Sequence, residues 1–162
     1  MRVKFTDFFN YDGKAEAPVK NSLVFLANLP VEDWEHILAF AQRHRYAAGE
    51  CVVRQGETSM ALYIVASGEL DVVFIGDDNR ERLVSSIDAL SVFGEQAFLD
   101  GLPRSASVRA RTDAEVHLLS RDAFDSLAVR HPELARQLLL ELGRIVSLRL
   151  REMTIIAMQG GR

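Results

Sequence analysis

Short β-type segments separated by glycine turns fill the middle of this chain and constrain its fold more than any other feature. From Tyr46 onward the segments are CVVRQ, ALYIVA, ELDVVFI, RLVSSI, ASVRA and EVHLLS. Gly49, Gly56, Gly68 and Gly76 separate the earlier ones at intervals of seven to twelve residues. Regular short strands between glycine turns are typical of an all-β sandwich, jelly roll or barrel. The turn-rich stretch GDDN between two of these segments predicts a β-hairpin.

Helical patterns flank the β region on both sides. Pro30 and an acidic first turn open a segment with apolar residues at helical spacing, which predicts a helix over about 30–43. After the β region in sequence, Pro132 begins a long segment with apolar residues at helical spacing. We therefore expect a mainly β protein with flanking helices (α+β), built as an eight-stranded antiparallel, jelly-roll-like β-roll over about 46–120. Its C-terminal helices are expected over about 121–157, the last of them long.

The first 22 residues are expected to form an N-terminal extension ahead of one domain at 23–162. Aromatic residues are scattered through this extension among polar ones, namely Phe5, Phe8, Phe9 and Tyr11. Either the extension packs on the surface of its own domain, or it docks another subunit or partner. The sequence leaves both possibilities open.

Composition limits the function classes that suit this chain. The net charge of −4 over 162 residues argues against a protein whose whole surface binds nucleic acid. No run of 18 apolar residues exists, and an acidic residue by position 7 excludes a signal peptide, so we expect a cytoplasmic protein without a membrane segment. The single cysteine, Cys51, lies within a β segment. That position favours a buried structural thiol over a nucleophile.

Enzyme signatures are missing from the sequence. His36, His44, His117 and His131 lack the spacing to acidic or cysteine partners that a metal site needs. The chain contains neither a G-x-S-x-G nucleophile elbow nor a Walker P-loop. We predict no catalytic residue, no metal and no cofactor, so an enzyme is the least favoured function class.

One segment, VFGEQAFLDGLPRSASVRA at 92–110, breaks the strand pattern. Gly94 permits a tight turn or a close backbone approach. The letters GEQAFL leave room for about one helical turn before Asp100 and Gly101 end it. Unpaired N–H groups at the start of such a turn suit an anion.

The same segment carries side chains that match a sugar phosphate. Arg104, fixed by Pro103, is a permanent cation with a planar donor fork suited to phosphate, and Ser105 adds a hydroxyl donor. Glu95 beside this anion site makes sense if the ligand also carries a hydroxyl, as ribose does. The alternatives are a surface ion pair of little energetic weight between Glu95 and Arg104, and a solvated turn hydroxyl at Ser105.

FGEQAFLDGLPRSASVRA resembles the phosphate-binding cassette of cyclic-nucleotide-binding domains. That family includes catabolite-activator-type regulators, regulatory subunits of cyclic-AMP-dependent kinase and cyclic-nucleotide-gated channels. The residues Gly49-Glu50 with QGE at 55–57, and LYIV with GEL at 62–70, resemble the strand pairs that precede the cassette in the family. The resemblance covers about residues 24–157.

The resemblance implies a role for each cassette residue. Glu95 would accept a hydrogen bond from the ribose 2′-hydroxyl, and Gly94 would let the backbone approach the sugar. Arg104 would pair with the cyclic phosphate. Ser105 and the backbone N–H of Ala97 would complete the phosphate shell.

Two cassette residues depart from the family pattern. Gln96, which we count among the ligand-binding residues, stands where an aliphatic residue is usual, and Phe98 replaces the common leucine. The departures leave open how the cassette packs.

Ser105 does not decide the choice of base, and cyclic AMP is favoured over cyclic GMP. In the family the C-terminal helix caps the base; Arg149 falls near that lid position, with an exposed helix arginine as the alternative.

These observations predict a non-enzymatic cyclic-nucleotide sensor that signals to an unknown protein effector. The alternative is a structural or interaction β-roll without a ligand. About four residues follow Met158, so we expect no helix-turn-helix domain and no direct DNA binding. The long helix carries a second apolar stripe, which predicts a homodimer through this helix. Coverage of that stripe by Phe5, Phe8 and Phe9 is the alternative.

Overall fold

The computed structural model describes residues 19–21 and 24–160, with side chains from residue 24 onward. The predicted aromatic extension at Phe5, Phe8, Phe9 and Tyr11 lies outside the described residues. In chain order the elements are β1 (Val19–Asn21), α1 (Val31–Phe40), β2 (Gln42–Tyr46), β3 (Cys51–Val53), β4 (Ala61–Ser67), β5 (Leu70–Ile75), β6 (Glu81–Ile87), β7 (Val92–Phe93), α2 (Glu95–Asp100), β8 (Ser107–Ala110), β9 (Ala114–Ser120), α3 (Arg121–Arg130) and α4 (Pro132–Gly160).

Two sheets form the β-roll. One has the strand order β1-β6-β5-β8-β3, and the other has the order β2-β9-β4-β7. Strands β2 to β9 pair antiparallel, which confirms the predicted eight-stranded antiparallel β-roll. Within the described ranges one further strand, β1, pairs parallel with β6, with Val19 opposite Ser85. The chain therefore joins the sheet inside the stretch predicted as an extension.

The GDDN hairpin is confirmed between β5 and β6. Gly76 N–H donates to the carbonyl of Arg80 at 3.1 Å, and Asn79 N–H donates to the carbonyl of Gly76 at 2.9 Å. Asn79 has a φ of +59°, a left-handed conformation that asparagine tolerates. The turn residues thus set the register of the two strands that follow and precede them.

Strand β4 is buried on both faces because it separates two cores. Leu62 and Ile64 point to the helices, where they pack with buried residues of α1, α3 and α4. Tyr63 and Val65 point into the roll, between the two sheets. The alternation of side chains along a strand produces this division. The inner core ends where α2 interrupts the strands.

The predicted first helix is too long at its C-terminal end. Helix α1 ends at Phe40, and Gln42 already begins β2, which lies along β9 over five paired residues. Apolar residues at helical spacing as far as Ala41 favoured a longer helix, but hydrogen bonding of this segment to β9 outweighs the local preference. The β-roll accordingly begins four residues earlier than predicted.

The C-terminal helices match the prediction closely. The Ser120 side chain caps α3 by accepting a hydrogen bond from the N–H of Ala123 at 3.1 Å. Helix α4 has 29 residues and is about 43 Å long at 1.5 Å per residue. One apolar stripe of this helix, formed by Leu138, Leu142 and Ile145, is completely buried. The distal half of α4 leaves the helical core and extends past the opening of the β-roll.

The environment of Cys51 differs from the prediction. The Cys51 thiol is half-buried, not fully buried as predicted, and it donates to the carbonyl of Val53 at 3.2 Å.

Among the helices that the structure describes, none combines the length and the apolar character needed to cross a bilayer.

Candidate functional site

The short helix α2 lies between two glycines in the left-handed region. Gly94 precedes it with a φ of +80°, and Gly101 follows it with a φ of +70°. A β-carbon on Gly94 would lie 2.6 Å from Nη1 of Arg104 and 2.9 Å from the carbonyl oxygen of Ala61. Glycine at this position therefore permits both the turn and the close approach of Arg104. The predicted single-turn helix of the cassette is confirmed.

A cavity of about 520 Å³ opens beside this helix. Its walls come from the inner faces of the β-roll, from the cassette and from the distal half of α4. All seven sequence-predicted site residues line it: Gly94, Glu95, Gln96, Ala97, Arg104, Ser105 and Arg149. The volume lies within the range of small-molecule sites in proteins. The structure thus brings the predicted residues together, including one from a helix more than 40 residues downstream.

Arg104 is buried in the wall of this cavity, with 5% of its surface exposed. Its Nη1 donates to the carbonyl of Gly94 at 3.0 Å. Its Nη2 donates to the Ser59 hydroxyl at 2.9 Å and to the carbonyl of Ala61 at 2.8 Å. The guanidinium carbon lies 5.5 Å from the centre of the Tyr63 ring. Four neighbouring groups therefore fix one orientation of the guanidinium.

None of these partners neutralises the charge of Arg104. No carboxylate of the described residues lies within 4.0 Å of its guanidinium, and Nε is buried without a hydrogen-bond partner there. Burial lowers the pKa of the Arg104 guanidinium from its ordinary value, although an arginine remains charged. A buried cation that has only neutral partners favours an anion beside it. The alternative of a surface ion pair with Glu95 is wrong.

Glu95 is also buried, with 3% of its surface exposed, and it pairs with α4. Arg149 Nη1 donates to Glu95 Oε1, and Arg149 Nη2 donates to the carbonyl of Val92 at 2.9 Å. The Arg149 side chain is 16% exposed, so the alternative of a solvated helix arginine is wrong. This one side chain ties α4 to both α2 and β7. Arg144, in contrast, pairs with Glu141 on its own helix.

The mouth of the cavity carries the remaining polar cassette residues. The exposed Ser105 hydroxyl donates to Gln96 Oε1 at 3.1 Å. Gln96 is exposed, so the polar residue at this position does not disturb the packing. Phe98 is completely buried and meets Phe124 edge-on with ring centres 5.5 Å apart. Both departures from the family pattern are therefore accommodated.

Sequence analysis missed several residues of this site. Glu152, Met153 and Ile156 line the cavity from α4, and Phe74 and Val84 line it from β5 and β6. Burial raises the pKa of the Glu152 carboxyl. Spacing of three and four residues after Arg149 places Glu152 and Met153 on the same helix face, a signal that was present in the sequence. Phe74 and Val84 gave no comparable signal, because apolar residues alternate along many strands and the alternation does not indicate which of them line a cavity.

Comparisons with known proteins identify a family and relatives of this chain. The family model described as the cyclic nucleotide-binding domain matches residues 43–131. The chain is 34% identical over 134 residues to the cyclic AMP receptor protein of Thermus thermophilus, covering 83% of this chain and 60% of that protein. It is 40% identical over 83 residues to the cAMP-dependent protein kinase regulatory subunit of Emericella nidulans, covering 51% of this chain and 19% of that subunit.

Solved structures show the same architecture. The catabolite activator protein of Thermus thermophilus superposes with a TM-score of 0.71 at 31% identity, over 81% of this chain and 60% of that one. A cyclic nucleotide-binding domain from Methylobacillus flagellatus superposes with a TM-score of 0.76 at 22% identity, over 88% of this chain and 80% of that one, a likeness of fold. The chain spans less than two thirds of the two relatives named above. With the cassette, the β-roll and the family match over residues 43–131 in agreement, this chain belongs to the cyclic nucleotide-binding domain family.

Proposed function

We propose that the chain is a non-enzymatic sensor that binds a cyclic nucleotide, cyclic AMP in preference to cyclic GMP, in the cavity beside α2. The observation that carries the proposal is the buried Arg104 guanidinium, which faces the cavity without a carboxylate partner among the described residues. A cyclic phosphate supplies one negative charge and charged acceptor oxygens, whereas the partners that Arg104 has in the protein are all neutral. We propose a non-enzymatic role because the two relatives are named as a regulatory subunit and a receptor protein.

The other cassette residues would hold the remainder of the ligand. Glu95 Oε1 accepts from Arg149, and Oε2 would accept from a ribose 2′-hydroxyl. Gly94 brings the backbone close to the sugar, and the N–H of Ala97 in the first turn of α2 would donate to the phosphate. Ser105 and Gln96 lie at the mouth, where the Ser105 hydroxyl would turn from Gln96 to the phosphate. The purine would then lie toward Arg149 on α4.

Calorimetric titration with cyclic AMP and with cyclic GMP tests the proposal. We expect both to bind and cyclic AMP to bind more tightly, in line with the cyclic AMP receptor and kinase regulatory subunits among the relatives. Linear 5′-AMP serves as the control for the cyclic phosphate. If neither cyclic nucleotide produced heat of binding, the result would favour the alternative of a structural or interaction module on the same fold.

We further propose that α4 caps the bound nucleotide and that Arg149 links the two. Bound nucleotide is expected to slow hydrogen exchange in residues 140–157, because a ligand that contacts α4 favours the docked position of the helix. Arg149→Ala should remove most of this protection and weaken binding several-fold, since it breaks the contacts with Glu95 and Val92. Arg151→Ala, an exposed position on the same helix, is the matched control. Equal exchange in free and bound wild-type protein would reject the cap.

We also propose that the chain forms a homodimer through α4, which would pass the signal to a protein effector. The distal half of α4 exposes large apolar side chains that do not line the cavity, among them Leu150 at 63% and Met158 at 77%. Exposed apolar surface of this kind favours an interaction site. Light scattering at micromolar concentration is expected to give twice the 18.1 kDa chain mass. A monomer with and without nucleotide would contradict the dimer and favour cover by the N-terminal aromatic residues.

A further inference from the structure

The segment between β3 and β4, residues 54–60, holds Arg104 from outside the cassette; we name it the cradle loop. Gly56 N–H donates to the carbonyl of Arg104 at 2.8 Å, and Arg104 N–H donates to the carbonyl of Glu57 at 2.8 Å. Ser59 then reaches the guanidinium with its hydroxyl at 2.9 Å. The cradle loop therefore fixes both the backbone and the side chain of a residue more than 40 positions away.

Ser59 differs from the other partners of Arg104. Gly94 and Ala61 contribute backbone carbonyls, which any residue would supply, and Tyr63 contributes the face of its ring. Among the described residues, Ser59 supplies the closest side-chain acceptor, with its hydroxyl oxygen 2.9 Å from Nη2 of the guanidinium. Its hydroxyl and the Ala61 carbonyl occupy both N–H groups of Nη2. The donors left over are Nε–H, which has no described partner, and one N–H of Nη1.

We propose that Ser59 is a positioning residue that aims the free donors of Arg104 at the anionic group of the ligand. The inference rests on the proposed function and assigns it a residue outside the cassette. A neutral hydroxyl holds Nη2 in place without neutralising the guanidinium, so the full charge remains for the ligand phosphate. A guanidinium held in one orientation also loses less rotational freedom on binding than a mobile one.

Four variants test the proposal by calorimetry with cyclic AMP and with cyclic GMP. Ser59→Ala is expected to weaken binding roughly tenfold, the size of one lost hydrogen bond to a charged group. Ser59→Thr, which keeps the hydroxyl, should restore most of the affinity. Thr58→Ala, at an exposed position in the cradle loop, should leave affinity unchanged. In an Arg104→Ala background, Ser59→Ala should have no further effect, because its action passes through Arg104.

The outcomes separate this proposal from the proposed function. Unchanged affinity in Ser59→Ala, while the wild-type protein binds and Arg104→Ala binds much more weakly, overturns the role of Ser59 and leaves the site intact. An equal loss from Ser59→Ala with and without Arg104 also overturns it, since that result indicates a general effect on the loop. Absence of binding by the wild-type protein would overturn the proposed function itself. Thermal unfolding of each variant shows that the comparison is made between folded proteins.

Discussion

Replacing Arg104 with alanine is expected to weaken cyclic-nucleotide binding roughly 100-fold. Charge-assisted hydrogen bonds contribute on the order of 1.5–3 kcal/mol each, and two donors of the guanidinium remain for the phosphate. A loss of about 2.8 kcal/mol corresponds to a factor of 100 in affinity. Isothermal titration of the variant with the nucleotide that binds the wild-type protein measures the change directly.

The same substitution is expected to have a smaller effect on the stability of the fold. It removes the hydrogen bonds to Gly94, Ser59 and Ala61, but it also removes a buried cation that has only neutral partners. These two effects oppose each other in the free energy of unfolding. Arg109→Ala is the matched control: it removes a positive charge from the neighbouring strand β8, where Arg109 pairs with Glu81 on the outer surface. Equal affinity of Arg104→Ala and Arg109→Ala would contradict the assigned phosphate site.

The cassette could be predicted from the sequence because its chemistry is local. Gly94, Glu95 and Arg104 lie within eleven residues. Their residue types alone indicate a turn, an acceptor for a hydrogen bond from a hydroxyl group, and a hydrogen-bond donor to phosphate. The eight-stranded antiparallel β-roll followed from the glycine turns together with the family resemblance. In each case, neighbours in sequence determine the conformation, so short-range patterns are informative.

The partners of the site residues could not be predicted in the same way. The contact between Arg149 and Glu95 joins residues 54 positions apart, and Ser59 reaches Arg104 across 45 positions. Such pairs depend on how α4 and the cradle loop pack on the roll, which no local pattern encodes. The sequence therefore predicted that Arg149 lies near the ligand but not that it binds Glu95.

Strand β2 illustrates the same limit for the fold. Its residues, QRHRY, alternate without a strong apolar face, and only Tyr46 was assigned to the β region. The strand exists because β9 offers a row of hydrogen-bonding groups, with Gln42 opposite Leu118 and Tyr46 opposite Ala114. An edge strand that depends on its neighbour has a weak signal of its own. Errors in predicted boundaries thus fall where tertiary pairing decides the structure.

Replacing Gly94 with alanine is expected to damage both stability and binding, whereas the same change at Gly101 should damage stability alone. Both glycines have left-handed backbone conformations, so alanine costs about 1–2 kcal/mol at either position. At Gly101 the new methyl group would meet only the flexible Met60 side chain, at 3.4 Å. At Gly94 it would meet the Arg104 guanidinium at 2.6 Å and the Ala61 carbonyl at 2.9 Å.

The difference between the two variants isolates the position of Arg104. In Gly94→Ala the methyl group displaces Nη1 from the Gly94 carbonyl, so we expect at least tenfold weaker nucleotide binding in addition to the loss of stability. In Gly101→Ala the affinity should remain near the wild-type value. Urea unfolding gives the stability of each variant, and calorimetry gives its affinity. If both variants bound the nucleotide equally well, the close approach of Arg104 to Gly94 would have no part in ligand binding, and the phosphate would have to bind elsewhere in the cavity.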